Sequence, residues 1–120
     1  MTQPNAVVIR PDGTYTEIEV PDPQAEANTL LGLVDIFTCP DRLHVGAVGE
    51  HSLLNAEPLN LRAWYCYGRS ELCGVAVIWR DDNQPLTADF RNFIAQLHGA
   101  DNPVEALNIA RQHWNEQDSR

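Results

Sequence analysis

Cys73-Gly74-Val75-Ala76-Val77-Ile78-Trp79-Arg80 is the stretch on which the fold turns. A strand with one wet face alternates apolar and polar residues. This run is too apolar for that, so it is expected at the centre of a sheet, buried on both faces. Just upstream, Pro58-Leu59-Asn60 precedes a short helix from about Leu61 to Tyr67, closed by Gly68. Downstream, Thr87 caps a helix in which Phe90, Phe93, Ile94 and Leu97 recur at i, i+3, i+4 and i+7, and Gly99 ends it. Asn102-Pro103-Val104-Glu105 opens a second helix, with an N-cap, Pro at the first helical position and Glu in the capping-box position. Its apolar stripe is Val104, Leu107, Ala110 and Trp114. The short link from Gly99 to Asp101 folds the two into an antiparallel helical hairpin.

Toward the N-terminus, Ala6-Val7-Val8-Ile9-Arg10 and the run Thr14 to Val20 flank Pro11-Asp12-Gly13. That is a β-hairpin, with Ile18 and Val20 on one face and Glu17 and Glu19 toward water. Asp22-Pro23 starts a helix to about Leu31, packed by Ala27, Leu30 and Leu31 and stopped by Gly32. Val34 to Thr38 gives a third strand, Cys39-Pro40-Asp41 a turn, and Leu43, Val45 and Ala47 alternate as a fourth. Gly46 to His51 is expected to bend away as a loop. The order ββαββαβαα predicts an α+β domain: a largely antiparallel sheet of about five strands, helices on one face, and a C-terminal helical hairpin. Residues 1–87 make the core and 88–120 the hairpin packed on it, a single domain overall.

Composition narrows the function classes. A chain of 120 residues, 43% of them hydrophobic, buries roughly 65% of its unfolded surface and folds without metal or disulfides. No apolar run approaches the ~18 residues of a membrane span, and the N-terminus has no signal-peptide pattern. A soluble protein of the host-cell cytoplasm is expected. Net charge is −9, distributed as −5 over residues 1–40, 0 over 41–80 and −4 over 81–120. Such acidity opposes nonspecific nucleic-acid binding, which draws on neutralised phosphates. The longest acidic run is Asp81-Asp82, so solvated acidic faces explain the charge more simply than mimicry of DNA. All eight cations are Arg, a bias that fits a GC-rich genome better than eight separate functional choices.

The neutral middle of the chain holds the candidate site. Between Glu57 and Asp82 lie two of the three Trp, two of the three Tyr and three of the eight Arg. On a helix Arg62, Tyr65 and Arg69 share one face, while Trp64 and Tyr67 point to another. An Arg-Tyr-Arg face can grip a phosphate or carboxylate beside a stacking ring. The plainer reading puts Trp64 in the core and the arginines in ordinary contact with surplus acids. No cofactor and no metal is expected. Cys39 with His44, and Cys66 with Cys73, lack the tight spacing of structural zinc ligands, so Cys39, Cys66 and Cys73 read as free thiols. Walker-type, dinucleotide-binding and zinc-protease motifs are missing, and His44, His51, His98 and His113 flank no recognisable nucleophile.

Four segments carry a family likeness: Val7-Val8-Ile9-Arg10-Pro11-Asp12-Gly13-Thr14, Leu30-Leu31-Gly32-Leu33-Val34-Asp35-Ile36-Phe37, Pro58-Leu59-Asn60-x-x-Ala63, and the Cys73 to Ile78 strand. Over about residues 6–87 the chain resembles a small domain family of unknown function found in actinobacteria and their phages. Leu31-Gly32 stands where that family usually shows Gly-Gly, and the C-terminal helical pair lies outside the likeness. The resemblance implies a phage or mobile-element origin, in keeping with the lysine-free composition, and brings no catalytic residues with it.

The function expected from these features is that of a phage-type accessory protein, not an enzyme, that captures a host protein stoichiometrically, as in counter-defence. A small-ligand sponge for a nucleotide signal, using Arg62, Arg69 and Tyr65, is the alternative. Since such sites commonly form between protomers, a homo-oligomer belongs to that reading. An uncharacterised enzyme is the third possibility. Trp114 near the chain end either buries against its own domain or marks an interface.

Overall fold

The central run does lie at the centre. The structure, a computed structural model, describes residues 3–50, 55–67 and 72–118. In it β5 (Ala76–Arg80) is flanked by β1 (Ala6–Ile9) and β4 (His44–Gly49), and the outer strands are β2 (Tyr15–Ile18) and β3 (Val34–Thr38). The order is β2-β1-β5-β4-β3, and every neighbouring pair is antiparallel. Four helices accompany these strands: α1 (Pro23–Leu31), α2 (Leu61–Tyr67), α3 (Ala88–Gly99) and α4 (Pro103–Asp118). The α+β class, the five-stranded antiparallel sheet and the closing α3–α4 hairpin are as the sequence predicts.

Strand alternation divides β5 between two apolar layers. Ala76 and Ile78 join Val7, Ile9, Phe90, Phe93, Ile94 and Leu97 under α2, α3 and α4. Val77 and Trp79 face the other way, with Ala6, Val8, Val45, Ala47 and Ala27 of α1. The helices therefore are not all on one face, because α1 covers the second one. A sheet whose inner strands are apolar on both sides needs cover on both, since each fully buried Val, Ile or Phe side chain is worth about 1.5–3 kcal/mol. Regular pairing begins later than the sequence suggests. Cys73 makes an isolated bridge to Leu59, and Gly74 takes a φ of 78° before β5 sets in.

β4 corrects a second expectation. Gly46 lies within the ladder, opposite Phe37 on one side and Ile78 on the other, where a loop was expected. A Cβ at Gly46 would stand 2.7 Å from Cε2 of the Phe37 ring. The glycine is a notch for that ring, not a bend. In α1 the apolar stripe is only partly used: Ala27 is buried, whereas Leu30 is exposed.

The helix ends follow their sequence signals. Asp22 accepts from Ala25 N–H, Thr87 from Phe90 N–H and Asn102 from Glu105 N–H. Glu105 in turn accepts from the Asp101 N–H, one residue before the N-cap. Gly32 closes α1 at a φ of 79°, its N–H on the Asn28 carbonyl.

Candidate functional site around α2

The short α2 is held in place by Asn60, a fully buried polar residue. Its Nδ2 donates to the carbonyls of Ile9 and Gly74, both at 2.9 Å, and its Oδ1 accepts from the Ala63 N–H. One side chain thus caps α2 and ties it to the end of β1 and to the approach of β5. Burying an amide costs free energy unless its hydrogen bonds are made, and here they are. Ala63, also fully buried, lets α2 sit close to the sheet. The Pro-Leu-Asn-x-x-Ala motif thereby has a structural explanation: it anchors a helix.

From that anchor the candidate residues radiate to different neighbours. Tyr65 is buried and its hydroxyl donates to the Pro103 carbonyl at 3.4 Å. Trp114 returns the tie, its Nε1 donating to the Tyr65 carbonyl at 3.0 Å, so α2 and α4 are clipped at both ends of α4. Trp64 is half-buried beside Tyr65, ring centroids 5.8 Å apart. Tyr67 packs on Phe37 at 5.0 Å, toward β3. Arg62 points to the β1–β2 turn, where its Nη1 lies 3.3 Å from the place a Cβ would take on Gly13. Its Nε is buried and has no hydrogen-bond partner among the described residues. Arg69 lies outside the described residues. Arg62 and Tyr65 thus have separate partners, and Trp64 and Tyr65 line a shared concavity.

That concavity is a groove of about 460 Å³ between α2 and α4, lined by Trp64, Tyr65, Leu107, Ala110, Arg111 and Trp114, with Asn115 at its end. Arg111 is exposed and makes no ion pair among the described residues. Two tryptophans, an apolar floor and an unpaired guanidinium make an interface-like composition. Trp114 was visible in the sequence as an informative residue. Leu107 and Arg111 were not singled out as site residues, because only the docking of α4 on α2 brings them beside Trp64.

A second polar feature was missed altogether. Asp41 Oδ2 lies 2.7 Å from Nδ1 of His44, a fully buried ring stacked on Phe90 with centroids 3.9 Å apart. Asp41 also accepts from the N–H groups of Leu43 and His44. Burial alone would raise this carboxyl, but the bonds from His44 and Leu43 prevail and hold it below the usual range. The signal was an Asp three residues before a His, directly after a turn Pro. With no exposed ring edge, the pair braces the β3–β4 turn.

Two of the three thiols are equally inward, and Cys73 is partly buried. Burial pushes Cys39 and Cys66 up, with the Asp41 charge adding to both and Cys66 adding to Cys39, so both stay protonated at neutral pH. Among the described residues no group of three or more His, Cys, Asp or Glu is placed to hold a metal ion, and no helix is long and apolar enough to cross a membrane. No family model, curated protein or solved structure matches the chain.

Proposed function

We propose that this chain is a non-catalytic binding protein that captures a protein partner stoichiometrically through the α2–α4 groove. The observation that supports this reading is the pairing of Trp64 and Trp114 around an apolar floor, with Arg111 in the lining and in no ion pair among the described residues. A groove of this size receives a large aliphatic or aromatic anchor, and Arg111 suits a carboxylate beside it. The partner segment that fits is an amphipathic helix or loop with an apolar anchor next to an acid. In the phage setting implied by the resemblance, that partner is a host protein.

The test uses tagged full-length chain against lysate of an actinobacterial host, with Trp64→Ala and Arg111→Glu in parallel. The expected result is a defined protein retained by wild type and lost by both variants, with Arg111→Glu keeping the wild-type melting temperature and Trp64→Ala still unfolding cooperatively at a lower one. Equal recovery by all three, or by none, would sink the reading.

A second reading rests on Arg62. Its Nε and the Nε2 of His98 are both buried without hydrogen-bond partners among the described residues, near the β1–β2 turn. The orphaned guanidinium nitrogen favours an anionic small ligand such as a nucleotide, whereas the neutral His98, its Nδ1–H on the Ile94 carbonyl, offers only a lone pair at Nε2. Thermal-shift measurements with mono-, di- and cyclic nucleotides test it, and a shift abolished by Arg62→Ala is the supporting outcome.

A further inference from the structure

The outer edge of β3 is as unlike a protected sheet edge as any segment here. The bonds Cys39 N–H to His44 C=O and Glu50 N–H to Leu33 C=O flank the β3–β4 ladder at 2.9 and 2.8 Å. They fix its phase. Odd-numbered residues of β3 turn their backbone groups to β4, so Val34, Ile36 and Thr38 turn theirs outward. Among the described residues no strand pairs with that side. The ladder runs without a bulge, and β3 has neither Lys nor Pro to deter another strand. Leu30, Leu33 and Ile36, with 53, 73 and 51% of their surface exposed, are three of the five large apolar residues exposed among the described residues. All three lie in β3 or on the approach to it.

We infer that β3 pairs antiparallel with β3 of a second copy of this chain, about a two-fold axis at Ile36, joining two five-stranded sheets into one. Register and charge both select this arrangement. With Ile36 opposite the partner copy's Ile36, Val34 and Thr38 face each other twice, and every outward N–H and C=O of the strand is used. That makes on the order of six backbone hydrogen bonds. Moving the axis to residue 35 sets Asp35 directly against its own copy, which like charge disfavours. Moving it to residue 37 puts Pro40, which has no N–H, opposite Val34. In the Ile36 register Asp35 instead stands opposite the partner copy's Phe37.

Phe37 lines a groove of about 700 Å³ along this edge, together with Ile36, Thr38, Cys39, Arg42 and Tyr67. Arg42 is exposed and makes no ion pair among the described residues, and neither does Asp35. The turn after β3 holds Arg42 at a φ of 59°, with its N–H on the Cys39 carbonyl. Two-fold symmetry brings each Asp35 to the groove that holds the other copy's Arg42, so the contact is charge-complementary twice over. The occupant is therefore a second copy, by a surface separate from the α2–α4 groove.

Sedimentation of the full chain, with hydrogen exchange at single amides, tests this. Wild type should form a concentration-dependent dimer in which Val34, Ile36 and Thr38 gain protection while Asp35 and Phe37 are protected at every concentration. Asp35→Arg and Arg42→Asp should each weaken the dimer at least about tenfold, and the double variant should recover most of it. Ile36→Lys, at an exposed position, should give a folded monomer with all three outward amides exchanging fast, and Trp64→Ala should leave the dimer intact. A chain that stays monomeric up to about 1 mM leaves this edge to some other protein's strand and overturns the self-pairing. A dimer indifferent to the charge swaps, or one that leaves those three amides unprotected, overturns it too.

Discussion

The two edges of this sheet end in opposite ways. β2 carries Glu17 at a position where the Arg91 guanidinium of α3 grips it, at 2.6 and 3.2 Å. Tyr15 at the start of the same strand packs against His98 at the far end of α3, the rings tilted and their centroids 4.3 Å apart. Asn5 closes the hairpin below by exchanging two hydrogen bonds with Val20. β3 has no such charged tie among the described residues. It is fastened mainly by Phe37, in the notch of Gly46 and against Tyr67, with the partly buried Val34 on the other face, while Ile36 faces water. Charge and side-chain ties finish one edge, and the other is left with outward backbone groups and apolar side chains. The same sheet thus holds a terminated border and a border fit to be extended.

The fastening of β3 is where the comparison breaks most violently. Phe37→Ala removes the only large core side chain of that strand and should cost about 3–5 kcal/mol, measured by urea unfolding. Gly46→Ala attacks the same contact from beneath and should cost about 1–3 kcal/mol, because the buried ring must shift out of its place to admit the methyl group. If the notch reading is right, Phe37→Leu combined with Gly46→Ala should cost less than the two separate losses added together. Strict additivity would mean that glycine and ring do not compete for the same space.

Much of this was legible in the chain. The apolar run from Val75 to Trp79, the caps at Asp22, Thr87 and Asn102, and the i, i+3, i+4 stripe of α3 state local rules that tertiary structure had no reason to override. Gly46 was misread because a glycine in a strand has the same local signature whether the chain bends or a ring from the next strand needs room. The site was harder. Trp64 could be picked out by composition, but Leu107 and Arg111 join it only through the docking of α4, more than 40 residues on in the sequence. Asn60 stands in the sequence only as a residue preceding a short helix, and its bonds to Ile9 and Gly74 depend on pairings no local pattern encodes.

The edge at β2 is sensitive to pH through His98. Burial is the larger cause that lowers this histidine, the Arg62 charge acts the same way, and the Ile94 carbonyl on Nδ1 opposes them. The folded chain thus prefers the neutral ring. The unfolded chain takes up a proton as pH falls below about 6.5, so stability is complete above that value and declines as pH drops toward the folded pKa. Melting temperatures taken from about pH 7.5 down to about 5.5 should fall, and His98→Phe, which keeps a ring on Tyr15, should flatten that part of the curve. An unchanged slope would place the acid sensitivity elsewhere.

The smallest effect on stability tells most about the edges. Arg91 and Glu17 are substantially exposed, so their bond adds little to stability and weakens with salt. Glu17→Val should therefore hardly alter the melting temperature. Its consequence should appear in association. With the charge gone from β2, each chain has two apolar edges on opposite sides of its sheet, and pairing at both no longer closes after two copies. Light scattering should then detect species larger than the dimer, growing with concentration, while the Ile36→Lys background limits the same chain to pairing through β2 alone. If Glu17→Val keeps the wild-type size at every concentration, the carboxylate is not what ends the sheet, and the hairpin twist or the α3 ties must do it instead.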